Sequence, residues 1–226
     1  MNSSIKDILN AMGVKYFTAF GDIKIAKTKI RTWFERSEGT AFVCFEYNDE
    51  TYRTTLRGKH QAFNAAFCVA AAKRLGISKD KIDKALVNIP LNGRFETLRA
   101  KPTMIFDIVE NAKDMKNFAM CVYDYFGRRV QASLTSKDNL HPEPFRRLVI
   151  ADCFYPELAK IKQNVTIIFT REELQKQYLA TYDGIVKTLV MDFETAIEHA
   201  ITNFPDYKIF VIGGRELYND MRLLTN

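Results

Sequence analysis

The chain has 226 residues, of which 47% are hydrophobic and 27% charged, with a net charge of +6. The length suits one large domain or two small ones at roughly 100–200 residues each, and the composition excludes a disordered or fibrous chain. The sequence pI of about 9.0 fits either nucleic acid or an anionic small ligand. The cations are scattered, as in Lys24, Lys27, Lys29 and Arg31 or Lys79, Lys81 and Lys84. No basic block is interleaved with aromatics, so the charge reads as a solvated surface and nucleic acid is not expected as a partner.

In chain order, Ile5, Ile8, Leu9 and Met12 stand at helical spacing and predict a short amphipathic lead-in over residues 1–13. Residues 22–27 alternate polar and apolar, as a half-buried strand does. Thr40 to Tyr47 and Thr51 to Leu56 are β-rich and meet at Asn48-Asp49-Glu50, which predicts a hairpin. Gly58 closes this segment. His60 to Leu75 is alanine-rich and apolar almost all round, which predicts a buried helix stopped by Gly76. Ser78 is placed to cap a second helix burying Ile82, Ala85, Leu86 and Ile89, with Pro90 ending it.

Beyond Gly93 strands and helices alternate. Thr103–Phe106 is a short strand, and Met115, Phe118, Ala119, Val122 and Phe126 mark one helix face before Gly127. Further strands are predicted at Val130–Leu134, Leu148–Ala151, Val165–Phe169, Thr188–Met191 and Ile209–Ile212. Thr170-Arg171-Glu172-Glu173 has capping-box spacing, and Phe193, Ala196, Ile197, Ala200 and Ile201 form a helical stripe. Gly213-Gly214 and a short helix follow the last strand. The alternation predicts a mostly parallel sheet covered on both faces. The boundary falls at Leu91-Asn92-Gly93, giving a partial sheet with two helices over residues 1–92 and a Rossmann-like α/β domain over 93–226.

Cys44, Cys68, Cys121 and Cys153 form no CxxC pair, and each lies in an apolar run. They read as buried thiols in a reducing compartment, with no disulfide frame and no zinc site. No segment resembles a signal peptide, and no run of about 18 apolar residues is present, so a cytoplasmic, non-membrane protein is expected.

Gly58-Lys59-His60-Gln61-Ala62-Phe63-Asn64-Ala65-Ala66 resembles the G-x-H-N-x-x-N-A-x-A segment of Mur ligases and folylpolyglutamate synthases. Gly93-Arg94-Phe95-Glu96 looks like their G-R-[FM]-E element at the junction of the central and C-terminal domains. Ile105-Phe106-Asp107, with Asn111 beyond it, stands where the family has D-[GY]-A-H-[NT]-P, and Asp192–Ile201 looks like D-R-x-x-A-I-x-x-A. The resemblance implies the rear part of a central domain followed by a C-terminal Rossmann-like domain. It implies an ATP-dependent ligase reaction, in which an acyl phosphate is attacked by the amine of an amino acid. It implies nucleotide contacts at Arg94, Asp107 and Asn111 and, near the adenine, at His60 and Asn64.

Against each stands a structural reading: a hinge ion pair for Arg94, a helix cap for Asp107 and a helix-start residue for His60. Catalytic residues are not identified. The family's phosphate loop, G-x-x-x-x-G-K-[ST], turns several backbone N–H groups toward the phosphates. The sequence contains nothing close, because Gly58-Lys59 lacks the upstream glycine and continues with His60. Where the family has a histidine, Glu110 stands, and a carboxylate repels phosphate.

ATP with magnesium is therefore expected only through a partner that carries the phosphate loop, the alternative assembly being a homo-oligomer with a small-molecule substrate. Ile209 to Tyr218 (I-F-V-I-G-G-R-E-L-Y) also resembles the V-I-G-G-x-x-[IL]-Y segment of dihydrofolate reductases, a fold similar in topology to the Mur ligase C-terminal domain. Thr135–Asn139 reads as a loop, as do Asp138, His141 and Glu143 between Pro142 and Pro144, and no metal is expected. Three functions follow: a ligase fragment that is not self-sufficient, a ligase-derived binding or structural protein without catalysis, and a reductase-like nucleotide binder.

Overall fold

A computed structural model describes residues 31–37, 40–90, 92–122, 146–161, 164–182, 184 and 186–225. The expected lead-in at 1–13, the strand at 22–27, Leu91, Phe126 with Gly127, the strand at 130–134 and the loop at 135–144 with Asp138, His141 and Glu143 lie outside the described residues. The chain divides into two compact units, Met1–Pro90 and Leu91–Asn226.

In the first unit, β1 (Thr32–Ser37), β2 (Thr40–Tyr47) and β3 (Glu50–Thr54) form an antiparallel sheet in that order. Asn48 and Asp49 turn between β2 and β3 with φ of 50° and 59°. A tight hairpin needs two left-handed residues there, and Asn and Asp tolerate that conformation. Val43, Phe45 and Tyr52 of the sheet pack against Ala62, Ala65, Ala66 and Val69 of α1 (Lys59–Arg74) and Ile82 and Leu86 of α2 (Lys79–Val87).

The alanine-rich α1, expected as a buried helix, is buried on one side only. One face meets the sheet, while Asn64 and Cys68 are exposed. Gly76, at φ 74°, does stop the helix. Its N–H donates to Lys73 O at 3.0 Å and that of Ile77 to Ala72 O at 3.0 Å, the paired bonds of a Schellman ending. Ser78 occupies the N-cap of α2 without a side-chain capping bond, and Ala85 is exposed rather than buried.

In the second unit a six-stranded sheet runs β4-β5-β9-β6-β7-β8. Its strands are β4 (Glu96–Arg99), β5 (Met104–Ile108), β6 (Arg147–Ala151), β7 (Val165–Phe169), β8 (Lys187–Val190) and β9 (Lys208–Gly213). Among the described strands of this sheet only β4 is antiparallel to its neighbour. The helices are α3 (112–122), α4 (Glu172–Thr181), α5 (Phe193–Asn203) and α6 (Arg215–Thr225), with a 3-10 turn at Pro156–Lys160.

One sheet face carries Ile105, Val149, Ile167, Phe210 and Ile212 against Met115 and Phe118 of α3, Leu158 of the 3-10 turn and Tyr178 of α4. The other carries Phe106, Leu148, Ile150, Ile168 and Val211 against Ala196, Ile197 and Ala200 of α5 and Tyr218 and Met221 of α6. Right-handed crossovers account for this division. The connections from β5 to β8 advance across the sheet on one face, and the return through α5 to β9 must use the other. The sheet is thus covered on both faces, as the alternating elements predict.

Candidate functional site

In open α/β sheets ligands bind beyond the carboxyl ends of strands, where neighbouring strands send their connections to opposite faces. Here β9, which leads into α6, lies between β5 and β6, which lead to the other face. The residues leaving these three strand ends are Asp107 to Asn111, Gly213 to Arg215, and Asp152 with Cys153. Val109 N–H donates to Gly213 O at 3.0 Å and Asp152 N–H to Ile212 O at 2.9 Å, so the three ends are tied together.

The Gly93–Glu96 turn crosses the end of β5. Gly93 is buried at φ 71°, and a Cβ there would meet Ile108 Cδ1 at 2.5 Å and Cγ1 at 2.8 Å. Only glycine fits that conformation in that space. Its carbonyl accepts from Ile108 N–H at 2.8 Å, and its N–H donates to Glu96 Oε2 at 2.6 Å. Arg94 Nη1 donates to Ile108 O at 3.1 Å, and Phe95 N–H to Asp107 Oδ1 at 3.0 Å. The ring of Phe95 is buried among Phe118 and Phe210. Every residue of the G-R-F-E element therefore has a structural task.

Burial pushes the Asp107 carboxyl up to about 7, against the opposing pulls of the Phe95 N–H and the Arg94 guanidinium, with Asp114 adding to the rise. It therefore changes charge near neutral pH beside a permanent cation. Asn111 is exposed and caps α3. Its Oδ1 accepts from Asp114 N–H at 3.0 Å and its Nδ2 donates to Asp114 Oδ2 at 3.0 Å, while Glu110 N–H reaches the same oxygen at 3.3 Å. Glu110 is exposed, and its carbonyl accepts from Tyr155 OH at 2.7 Å.

Arg94, Asp107 and Asn111 are thus brought to one strand end. His60 and Asn64 belong to the other unit, one turn apart on α1. Asn64 is exposed, with its Nδ2 donating to Gln61 Oε1 at 3.1 Å.

Sequence reasoning did not find the second polar group, at the ends of β6 and β7. Asp152 Oδ1 accepts from Thr170 Oγ1 at 2.5 Å and lies 3.7 Å from Arg171 Nη2, which also donates to Asp152 O at 2.8 Å. The capping box expected at Thr170–Glu173 does not form. Arg171 holds the N-cap position of α4 without a side-chain bond, because Thr170 is turned toward Asp152. An Asp directly after the apolar run Leu148–Ala151 was the available signal.

The thiols also differ from expectation. Cys44 and Cys121 are buried and Cys153 partly so, but Cys68 is exposed on the outer side of α1. Burial pushes the Cys153 thiol up to about 12, helped by Asp152 and Asp107, so it stays protonated and is no nucleophile. Among the described residues no group of three or more His, Cys, Asp and Glu is placed to hold a metal ion. Among them, too, no helix is long and apolar enough to cross a membrane.

No protein-family model and no curated protein matches the chain. Solved structures do. Folylpolyglutamate synthase of Mycobacterium tuberculosis, complexed with ADP and AMPPCP, is similar with a TM-score of 0.62 at 18% identity, covering 99% of this chain and 53% of that one. The UDP-N-acetylmuramate–alanine ligase MurC of Thermotoga maritima gives 0.57 at 14% identity, covering 81% and 42%. A pseudomurein peptide ligase type C from Methanothermus fervidus gives 0.54 at 18%, covering 81% and 39%. The chain spans about half the length, or less, of these structures. Identities this low speak to architecture, not activity. The chain has the fold of the Mur ligases and folylpolyglutamate synthases, and its six-stranded unit has the α/β architecture of their C-terminal domain.

Proposed function

We propose that this chain is the rear portion of an ATP-dependent ligase that joins an acid to an amino acid, of peptidoglycan-precursor or folylpolyglutamate type, acting with a partner that carries the phosphate-binding loop. The observation that carries the reading is one of coverage. The fold runs through 99% of this chain on 53% of a folylpolyglutamate synthase complexed with ADP and AMPPCP, while the 226 residues hold no G-x-x-x-x-G-K-[ST]. Without that ring of main-chain amides a triphosphate has little to neutralise it. In this reading ATP and magnesium are gripped by the partner. Arg94, Asp107 and Asn111 of the six-stranded unit cover the nucleoside side. The setting is the cytoplasm, where thiols stay reduced.

The test is melting temperature and turnover. ATP with magnesium raises the melting temperature in the presence of a chain carrying the phosphate loop, because a ligand that binds only the folded state stabilises it. The chain alone forms no amide from an acid, an amine and ATP. Amide formation by the chain alone, freed of contaminating proteins, overturns the reading.

A second reading, a ligase-derived binding or structural protein without catalysis, is supported by the exposed Glu110 and by the engagement of Gly93–Glu96 in holding β5. It requires that no nucleotide shift the melting temperature, with or without partner. A shift with NADPH alone would favour the reductase-like binder suggested by the Ile209–Tyr218 segment.

A further inference from the structure

Phe95 has a φ of 50°, a left-handed conformation that residues with a Cβ disfavour and that persists only where the surroundings impose it. Two contacts impose it. The ring is buried, with centroids 6.3 Å from Phe118 and 5.9 Å from Phe210. The N–H donates to Asp107 Oδ1 at 3.0 Å. Arg94, the preceding residue, reaches Ile108 O at 3.1 Å, so the course of its side chain depends on the same turn.

We propose that Asp107 is a positioning residue that fixes Phe95 in its left-handed turn and so aims Arg94 across the carboxyl end of β5. The family resemblance gives Asp107 a ligand contact; the geometry gives its Oδ1 a backbone partner. The inference rests on the nucleotide reading only for what Arg94 is aimed at, since the bonds that hold the turn lie within the chain.

Residue-resolved amide exchange on the full chain, without nucleotide, tests it in the wild type, Asp107→Asn and Asp107→Ala. Loss of the acceptor in Asp107→Ala is expected to speed exchange of the Phe95 amide by about tenfold or more relative to the Ile105 and Phe106 amides inside β5. Asp107→Asn keeps an acceptor oxygen and is expected to hold the Phe95 amide within about threefold of wild type. Three results overturn the proposal: no change at Phe95 in Asp107→Ala, an equal loss at Phe95 and within β5, or the same loss in Asp107→Asn. Should Asp107→Ala not fold, Asp107→Ser, one bond shorter, carries the same comparison. Failure of the nucleotide reading would appear separately, as an ATP-with-magnesium titration in the presence of the chain carrying the phosphate loop in which Arg94→Ala behaves like wild type while the exchange pattern stands.

Discussion

Glu96 and Tyr218 stand 122 residues apart in the chain and are joined by a hydrogen bond of 2.7 Å from the phenol to Oε2. The same oxygen accepts the Gly93 N–H at 2.6 Å. One carboxylate thus ties the turn before β4 to helix α6. Tyr218→Phe removes one of its two donors while keeping the ring against Phe106. The expected cost is about 1.5 kcal/mol, the net contribution of a hydrogen bond to a charged group at the low end of its range. Urea unfolding monitored by circular dichroism measures it. Glu96→Ala strips both donors and should cost more, so an equal or smaller loss would contradict the shared-acceptor arrangement.

The partly buried Asp107 makes stability depend on pH with a definite sign. Its folded-state value is raised from 3.8 to about 7, so the folded chain holds a proton that the unfolded chain has already lost. This contribution is full below about 4 and is lost as pH rises through about 7. Asp107→Asn cannot ionise. Its melting temperature relative to wild type should therefore rise between pH 5 and pH 8, by an amount equivalent to on the order of 1–3 kcal/mol. Curves that run parallel over that interval would show that burial does not hold the proton.

Two glycines that look alike in sequence should respond differently to a methyl group. Gly93→Ala meets Ile108 Cδ1 at 2.5 Å and forces a side chain into φ 71°. It is expected to destabilise the chain by roughly 2 kcal/mol or more. Gly214 has no atom within 4 Å of a built Cβ and no positive φ, so Gly214→Ala should be neutral to within about 0.5 kcal/mol. Denaturant midpoints measured side by side decide the matter. A tolerant Gly93 would mean that the turn over β5 is looser than its bonds suggest.

Thiol labelling should separate the cysteines by burial. Cys68 is exposed, Cys44 and Cys121 are buried, and the Cys44 thiol is pushed up to about 12 by burial with the help of Glu35. Iodoacetamide at pH 8 should modify Cys68 first, with the thiolate of an exposed cysteine as the reactive form. Cys68→Ser should remove the fast phase and leave the folded state intact. A fast phase that survives the substitution would place another thiol at the surface.

Legibility followed burial. Leu148–Ala151, Val165–Phe169 and Ile209–Ile212 are covered on both faces, so their sequences are near-continuous apolar runs, broken only by the buried Thr166. The edge strand β4, Glu-Thr-Leu-Arg, carries one apolar residue, and β1 mixes Trp33 and Phe34 with Glu35 and Arg36; neither has a pattern that separates it from a loop. The α1 helix reads as apolar almost all round because alanine counts as apolar, although Asn64 and Cys68 are exposed. Arg94 and Asp107 were legible through the G-R-F-E element and a strand end. Asp152, Thr170 and Arg171 were not, because their association arises from two parallel strands laid side by side, a neighbourhood that no local spacing records.

The last strand in the sequence is not last in space. β9 lies between β5 and β6 and pairs with both. During synthesis β5 and β6 must therefore leave the ribosome with a vacancy between them, their inner edges open to any other chain that can add a strand. The sheet closes only when residues 208–213 have emerged, so a message cut short before that point yields an aggregation-prone product rather than a smaller folded one.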